Sequence, residues 1–167
     1  MSKMVGEITG TTIKLRPLRR EDIEMIRQWR NQDAIRRWFV YREIISAEQQ
    51  QKWWDKYSLA DNDMMFVIER LEDSLPVGAV ALYNIVPGEE AEFGRLMIGE
   101  SCAHGKGYAV EATRLLTDFG INSLGLKKVN LEVFKDNAAA YNVYLKCKYS
   151  VVAQQGDMYL MSRCKSK

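Results

Sequence analysis

The segment from Phe93 to Leu124 constrains the fold most, because it places a strand, a glycine-bearing loop and a long amphipathic helix in direct succession. Phe93 to Ile98 is a largely apolar run of strand length. Tyr108 to Leu124 repeats apolar residues at helical spacing, with Val110, Ala112, Leu115, Leu116 and Phe119 as the expected buried stripe. Gly125 is the expected C-terminal stop of that helix.

The rest of the chain supplies elements of both kinds. Thr12 to Arg16 alternates as a first strand and stops at Pro17. Glu21 to Trp29 carries Ile23, Ile26 and Trp29 around Met25, the pattern of an amphipathic helix. A second helix starts near the capping box Ser46-Ala47-Glu48-Gln49 and runs through Trp53-Trp54. Met65 to Glu69 and Val77 to Ile85 read as strands of a hairpin joined by Leu71 to Pro76. Beyond the long helix, Lys128 to Phe134 is a strand and Ala138 to Lys146 a short helix. Tyr149 to Ala153 and Met158 to Ser162 then close as a hairpin about Gly156-Asp157. The order β-α-α-β-β-β-α-β-α-β-β predicts an α+β, or mixed α/β, architecture. With no repeat, low-complexity tract or long linker, residues 1–167 are expected to form a single domain.

Composition narrows the function classes. The chain is 47% hydrophobic and 28% charged, which is ordinary for a globular protein and against disorder. A formal net charge of +2 gives no ground for a nucleic-acid partner. Cys102, Cys147 and Cys164 show no paired spacing and read as free thiols. His104 is the single histidine, so triad hydrolases and histidine-based metal sites lose their usual parts, and no metal is expected. Met1 to Gly10 has no apolar run and no segment reaches transmembrane length, so the expected location is cytoplasmic, with no membrane partner.

The loop between strand and helix carries the chemistry. The first amides of a helix have no internal partner and bear the positive end of its dipole, and glycines let such amides approach an anion. His104-Gly105-Lys106-Gly107-Tyr108-Ala109 has this form, with the Lys106 charge added, and predicts a phosphate or pyrophosphate ligand. A P-loop fits poorly, since Gly99 and Gly105 enclose five residues and Gly107 follows Lys106. A dinucleotide fingerprint fits poorly too, with Val110 at its last position. On pattern alone, a turn whose glycines serve only backbone geometry reads as well.

Ile98-Gly99 with His104 to Ala112 resembles motif A of the GNAT superfamily of N-acetyltransferases, Gln/Arg-x-x-Gly-x-Gly/Ala. Gly107 and Ala109 take the small-residue positions and His104 replaces the usual Gln or Arg. Gly-Lys-Gly, an aromatic and then Glu-Ala is similar to the ribosomal-protein alanine acetyltransferases. Asn137-Ala138-Ala139-Ala140 and Tyr144-Leu145-Lys146-Cys147-Lys148-Tyr149 resemble the family's Asn-x-x-Ala-x-x-x-Tyr-Glu-Lys-x-Gly-Phe, with Lys148 in place of the glycine. Lys14-Leu15-Arg16-Pro17-Leu18 resembles that subgroup's opening strand.

The resemblance implies a twisted, mostly antiparallel sheet of about seven strands flanked by about four helices. It implies acetyl-CoA as co-substrate, with pyrophosphate on the amides from Gly105 to Ala109 and the pantetheine arm along Leu96, Met97 and Ile98. Asn137 and Tyr144 belong to the cofactor side. Tyr144 is the expected acid toward the leaving sulfur. Glu132, which precedes it by twelve residues, is the expected base, and Glu92 is the second candidate. Read without the resemblance, Tyr144 is an apolar-face helix residue and Glu132 a solvated strand position. Cys102 and Cys147 have no activating partner in the sequence and read as structural thiols.

The acceptor is expected at the first helices. Trp29, Arg30, Asn31 and Arg36, with Arg37 and Trp38, combine flat rings with guanidinium groups suited to a phosphate and a base or sugar. The stretch resembles acetyltransferases of UDP-linked 4-amino sugars, and a related pattern occurs in aminoglycoside acetyltransferases. The same residues equally describe tryptophans in a core and arginines paired with Asp22, Asp33 or Glu43. Three functions stay open: acetylation of a small-molecule amine, acetylation of a protein N-terminus, and acyl-CoA binding without catalysis. Monomer and homodimer are equally open.

Overall fold

A computed structural model describes residues 6–166; Met1 to Val5, part of the stretch read as lacking an apolar run, lie outside the described residues. In chain order the elements are β1 (Ile8–Thr9), β2 (Ile13–Pro17), α1 (Ile23–Arg30), α2 (Asp33–Arg36), α3 (Ala47–Leu59), β3 (Met64–Arg70), β4 (Pro76–Val86) and β5 (Glu90–Ile98). They continue with α4 (Tyr108–Asn122), β6 (Lys128–Phe134), α5 (Ala138–Lys146), β7 (Ser150–Gln155) and β8 (Met158–Cys164). One sheet holds all eight strands in the order β1-β2-β3-β4-β5-β6-β8-β7. Only β5 and β6 run parallel; every other neighbouring pair is antiparallel.

Strand β3 shows why helices cover both faces. Its residues from Met65 to Glu69 are all buried, the mark of a strand with no solvated side. Phe66 and Ile68 enter one core with Ala112 and Leu116 of α4, and Tyr144 of α5. Met65 and Val67 enter a second core with Ile26 and Trp29 of α1, and Tyr57 of α3. Arg16 clamps the entry to α1: its guanidinium bonds Glu69 at 2.6 Å and Asp22 at 2.9 and 3.0 Å, all three side chains being buried.

Two expectations are corrected in detail. The buried side of α4 is Tyr108, Ala112, Thr113, Leu116, Thr117, Gly120 and Ile121, while Val110, Leu115 and Phe119 lie half-buried at its edges. Threonines tolerate this burial because Thr113 bonds the Ala109 carbonyl at 2.7 Å and Thr117 bonds the Tyr149 hydroxyl at 2.8 Å. The sequence reading also lacks β1 and α2, which span two and four residues and are too short to show a period. The capping box at Ser46 forms, with Gln49 N–H to Ser46 Oγ at 3.1 Å and Ser46 N–H to Gln49 Oε1 at 2.8 Å. No helix among the described residues is long and apolar enough to cross a membrane.

Candidate active site

The site begins with an irregularity in β5. Ala79 pairs with Met97 but Ala81 pairs with Gly94, so β5 carries an extra residue between them. Arg95 there has φ +55°, and two bonds to Asp63 at 2.8 and 2.9 Å hold its guanidinium. The consequence shows in burial. Phe93 and Met97, four apart, would share a face of a regular strand, yet Phe93 enters the α4 core and Met97 the α1 core.

Strand β5 also parts from β6. Their pairing covers only Glu90 to Glu92 against Lys128 to Asn130. Beyond that point the strands diverge around a cleft of about 470 Å³. Met97 and Ile98 pair with β4 on one edge, while Leu96, Met97 and Ile98 face the cleft with no strand on the other. His104, which also lines the cleft, sets its Nε2 3.0 Å from the Ile98 carbonyl oxygen and so ties the following loop to β5.

The loop ends in Gly107, the N-cap of α4 at φ +81°, with Gly105 at φ +74°. A Cβ on either glycine would meet no atom within 4 Å. Both glycines are therefore required by the sign of φ, not by close packing of this loop. Tyr108 is buried and anchors the first turn, Lys106 is exposed, and Ala109 lines the cleft. The amides opening a fifteen-residue helix thus meet the free edge of β5, a donor set that fits a pyrophosphate followed by an amide-bearing arm.

Four reactive groups line the same cleft: Glu92 of β5, Glu132 of β6, Tyr144 of α5, and Tyr83 of β4. Tyr144 is buried, edge-on to Phe93 and Tyr149 at 6.0 Å between ring centres. Burial, and then the neighbouring Tyr83, push its phenol pKa far above the ordinary value, so it keeps its proton at every physiological pH. Glu92 is half-buried and accepts a bond from Asn84 Nδ2 at 3.2 Å; Glu132 is exposed. Asn137 lines the cleft and spends its Oδ1 on the Ala140 amide, 3.3 Å away, capping α5. Cys147 donates to the Val110 carbonyl at 3.4 Å, and burial raises its thiol pKa, which suits an inert packing residue.

Sequence reasoning missed Tyr83. It pairs with Glu92 across β4 and β5, and its hydroxyl lies 2.7 Å from where a Cβ on Gly94 would sit. Burial raises its pKa first, and the Glu92 charge adds to that, with Arg95 opposing. The one trace in the sequence is Gly94 inside an otherwise continuous strand, a usual sign of close approach.

The residues expected to bind the acceptor lie outside this cleft. Gln32, Ala34, Ile35, Trp38, Phe39 and Val40 line the cleft, and Trp29, Arg30, Asn31 and Arg36 do not. Trp29 is buried against Gly99 and donates to Glu100 at 3.0 Å; Gln32 bonds the Gly99 carbonyl at 3.1 Å. Asn31 spends both ends of its amide on the Ile45 backbone, at 2.8 and 2.9 Å. Arg36 pairs with Asp33 and, with Arg37 and Arg42, lines a shallow depression beside the cleft. The helical phase breaks at Asn31-Gln32, between α1 and α2, so extrapolating the α1 face forward picks the inward side.

Similarity to known proteins agrees with this geometry. The family model described as the acetyltransferase (GNAT) domain matches residues 12–150. The chain is 32% identical over 141 residues to spermidine N(1)-acetyltransferase of Escherichia coli K12, covering 84% of this chain and 74% of that one. Among solved structures, the spermidine N-acetyltransferase of Vibrio cholerae, crystallised with CoA and spermine, superposes with a TM-score of 0.83 at 23% identity, covering 93% and 97% of the two chains. FdhC, a nucleotide-linked sugar GNAT, superposes at 0.77 with 23% identity, covering 98% and 91%. On the extent of the family match and the identity to a curated relative, this chain belongs to the GNAT family of N-acetyltransferases.

Proposed function

We propose that the protein transfers the acetyl group of acetyl-CoA to the primary amine of a small acceptor that also carries an anionic group, such as a nucleotide-linked amino sugar. The observation that carries the reaction is the single cleft where the free edge of β5, the start of α4 and the side chains of Glu92, Glu132, Tyr83 and Tyr144 converge. The amides from Gly105 to Ala109 hold the pyrophosphate, and Leu96 to Ile98 present backbone groups to the pantetheine arm. Such amides also favour the thioester oxygen as negative charge develops on it.

An alkyl ammonium must lose a proton before it can attack. Glu92 accepts that proton, directly or through one water, because it lines the cleft half-buried while Glu132 is exposed. As the new C–N bond forms and the C–S bond breaks, Tyr144 donates its hydroxyl hydrogen to the departing sulfur. The second amine proton leaves to solvent. Tyr83, beside Glu92 and Tyr144, returns the proton held by Glu92 to the Tyr144 phenolate, which restores both groups for the next turnover. The exposed thiols of Cys102 and Cys164 agree with a reducing, cytoplasmic setting.

Arg37 and Arg42 beside the acceptor mouth, with Arg36 paired to Asp33 in the same depression, leave a net positive charge that favours an anionic acceptor over a polycation. A polyamine is the second reading, favoured by the two cleft carboxylates and by the relatives' substrate. The test is acetyl-CoA consumption over amino sugars, nucleotide-linked amino sugars, spermidine and N-terminal peptides. Preference for a phosphate-bearing amine is expected, and turnover on spermidine or peptides alone rejects the acceptor assignment. Tyr144→Phe and Glu92→Gln should each lower kcat at least about tenfold with CoA affinity kept. Wild-type turnover in both variants defeats the mechanism, and no turnover on any amine leaves a CoA-binding module.

A further inference from the structure

A second cavity of about 260 Å³ lies under the acceptor side, between α1, α3 and β5. Arg30 forms part of its wall and is the most unusual charge in the molecule. Its residue is only 9% exposed. Nη2 donates to the Tyr41 carbonyl at 2.6 Å and the guanidinium stacks 3.7 Å above the Phe39 ring, but Nη1 is buried with no hydrogen-bond partner. Among the described residues no carboxylate lies within ion-pair distance of Arg30. The other deeply placed guanidinium groups are treated differently, since Arg16 is paired with Asp22 and Glu69, and Arg95 with Asp63. A buried cation with an orphaned donor and no counter-charge is costly to keep, so its retention calls for a partner that the described residues do not supply.

We propose that this cavity is an anion pocket in which Arg30 takes a phosphate or carboxylate. Its walls suit that ligand. Arg30 and Arg95 both line it and no acidic side chain does. Trp53, Met65 and Met97 exclude water around the charge, which strengthens any ion pair formed there. The volume exceeds a water's share of about 30 Å³ severalfold, so a small organic anion enters as readily as a free one. Phe39, Arg95 and Met97 line both this pocket and the main cleft, so an acceptor can place its amine in one and its anionic group in the other. The biological meaning of the pocket rests on the acetyl-transfer reading; anion binding itself does not.

Calorimetry and thermal unfolding of the intact protein, saturated with CoA so that the α4 amides are filled, test the pocket with inorganic phosphate and pyrophosphate against chloride at matched ionic strength. CoA titrated first into wild type and Arg30→Met should bind both equally, and absent CoA binding marks failure of the acetyl-transfer reading alone. The wild type should then show saturable stabilisation by one of the two anions, at least about tenfold weaker in Arg30→Met. Arg30→Lys, which keeps the charge but loses the fork and the ring stacking, should fall between and serves if Arg30→Met fails to fold. No saturable effect in CoA-loaded wild type, or unchanged affinity in the variants, overturns the proposal. Glucosamine and glucosamine 6-phosphate then separate the sources. A KM advantage for the phosphate ester that Arg30→Lys diminishes assigns the pocket to the acceptor's own anion, and anion binding without that advantage assigns it to a free one.

Discussion

Replacing Glu111 with Gln gives a sharp test of how the N-terminal strands are held. Glu111 sits in the first turn of α4, yet its carboxylate serves the turn between β1 and β2. Oε2 accepts the amides of Thr11, Thr12 and Ile13 at 2.8, 3.0 and 3.1 Å, and Oε1 accepts the Thr12 hydroxyl at 2.8 Å. Glutamine keeps one neutral acceptor and presents an amide where the second oxygen stood. Bonds to a charged acceptor exceed neutral ones by about 1 kcal/mol each, but three donors share one oxygen and the site is half-exposed. The expected loss is about 1–2 kcal/mol, or about 2–8 °C in Tm for a chain of this size.

The pH dependence carries the diagnostic sign. Burial alone would raise the Glu111 pKa, but the bonds from Thr12, Ile13 and Thr11 outweigh it and hold the pKa below 4.5. A carboxyl whose folded pKa is depressed contributes stability above its unfolded pKa and loses it as pH falls through the folded value. The Tm gap between wild type and Glu111→Gln should therefore be full at pH 7, shrink below about 4.5, and close in stronger acid. Calorimetric scans at several pH values measure it. Parallel curves, or a gap that widens on acidification, refute the account.

Two further substitutions probe the site's frame. Lys148 adopts φ +72° just after α5, where its amide bonds the Leu145 carbonyl at 3.1 Å and Tyr149 N–H bonds the Tyr144 carbonyl at 3.1 Å. The left-handed conformation costs about 1–2 kcal/mol in a side-chain-bearing residue, and glycine returns about 0.5–1 kcal/mol of that as unfolded-state entropy. Lys148→Gly should thus raise stability by about 0.5–1 kcal/mol, and a lowered Tm would show that the lysine side chain stabilises this turn. Gly94→Ala places a Cβ 2.7 Å from the Tyr83 hydroxyl and must displace that ring. It should cost about 1–3 kcal/mol by overpacking and cut kcat while CoA affinity holds, and unchanged turnover removes Tyr83 from the proton path.

Much of the architecture is local and so was legible. The capping box at Ser46, the helices over Tyr108 to Asn122 and Ala138 to Lys146, and the hairpin at Gly156-Asp157 follow from neighbours a few residues apart. The loop from His104 to Ala109 was legible for the same reason, since its glycines and the helix after them are adjacent in sequence. Family resemblance added Glu132 and Tyr144 as candidates, position ahead of the strand Leu96 to Ile98 added Glu92, and all three line one cleft.

Tertiary structure alone decided what joins residues far apart. Tyr83 enters the site because the β4–β5 hairpin, turned at Pro87-Gly88, sets it opposite Glu92, while the β6 and α5 residues of the same cleft come from much farther along the chain. The bulge at Arg95 sends Phe93 and Met97 to opposite faces, which a regular period of two forbids. The cleft is lined by Gln32, Trp38 and Phe39 rather than Trp29, Arg30, Asn31 and Arg36, since a break between two helices resets which face looks outward. Arg30 was visible as an arginine, but that no carboxylate among the described residues pairs with it is a property of the packed chain. Sequence by itself determined the glycine-bearing loop from His104 to Ala109 and the elements around it, which short-range chemistry specifies. The cleft and the set of side chains that line it came from the packing of the whole sheet and its helices.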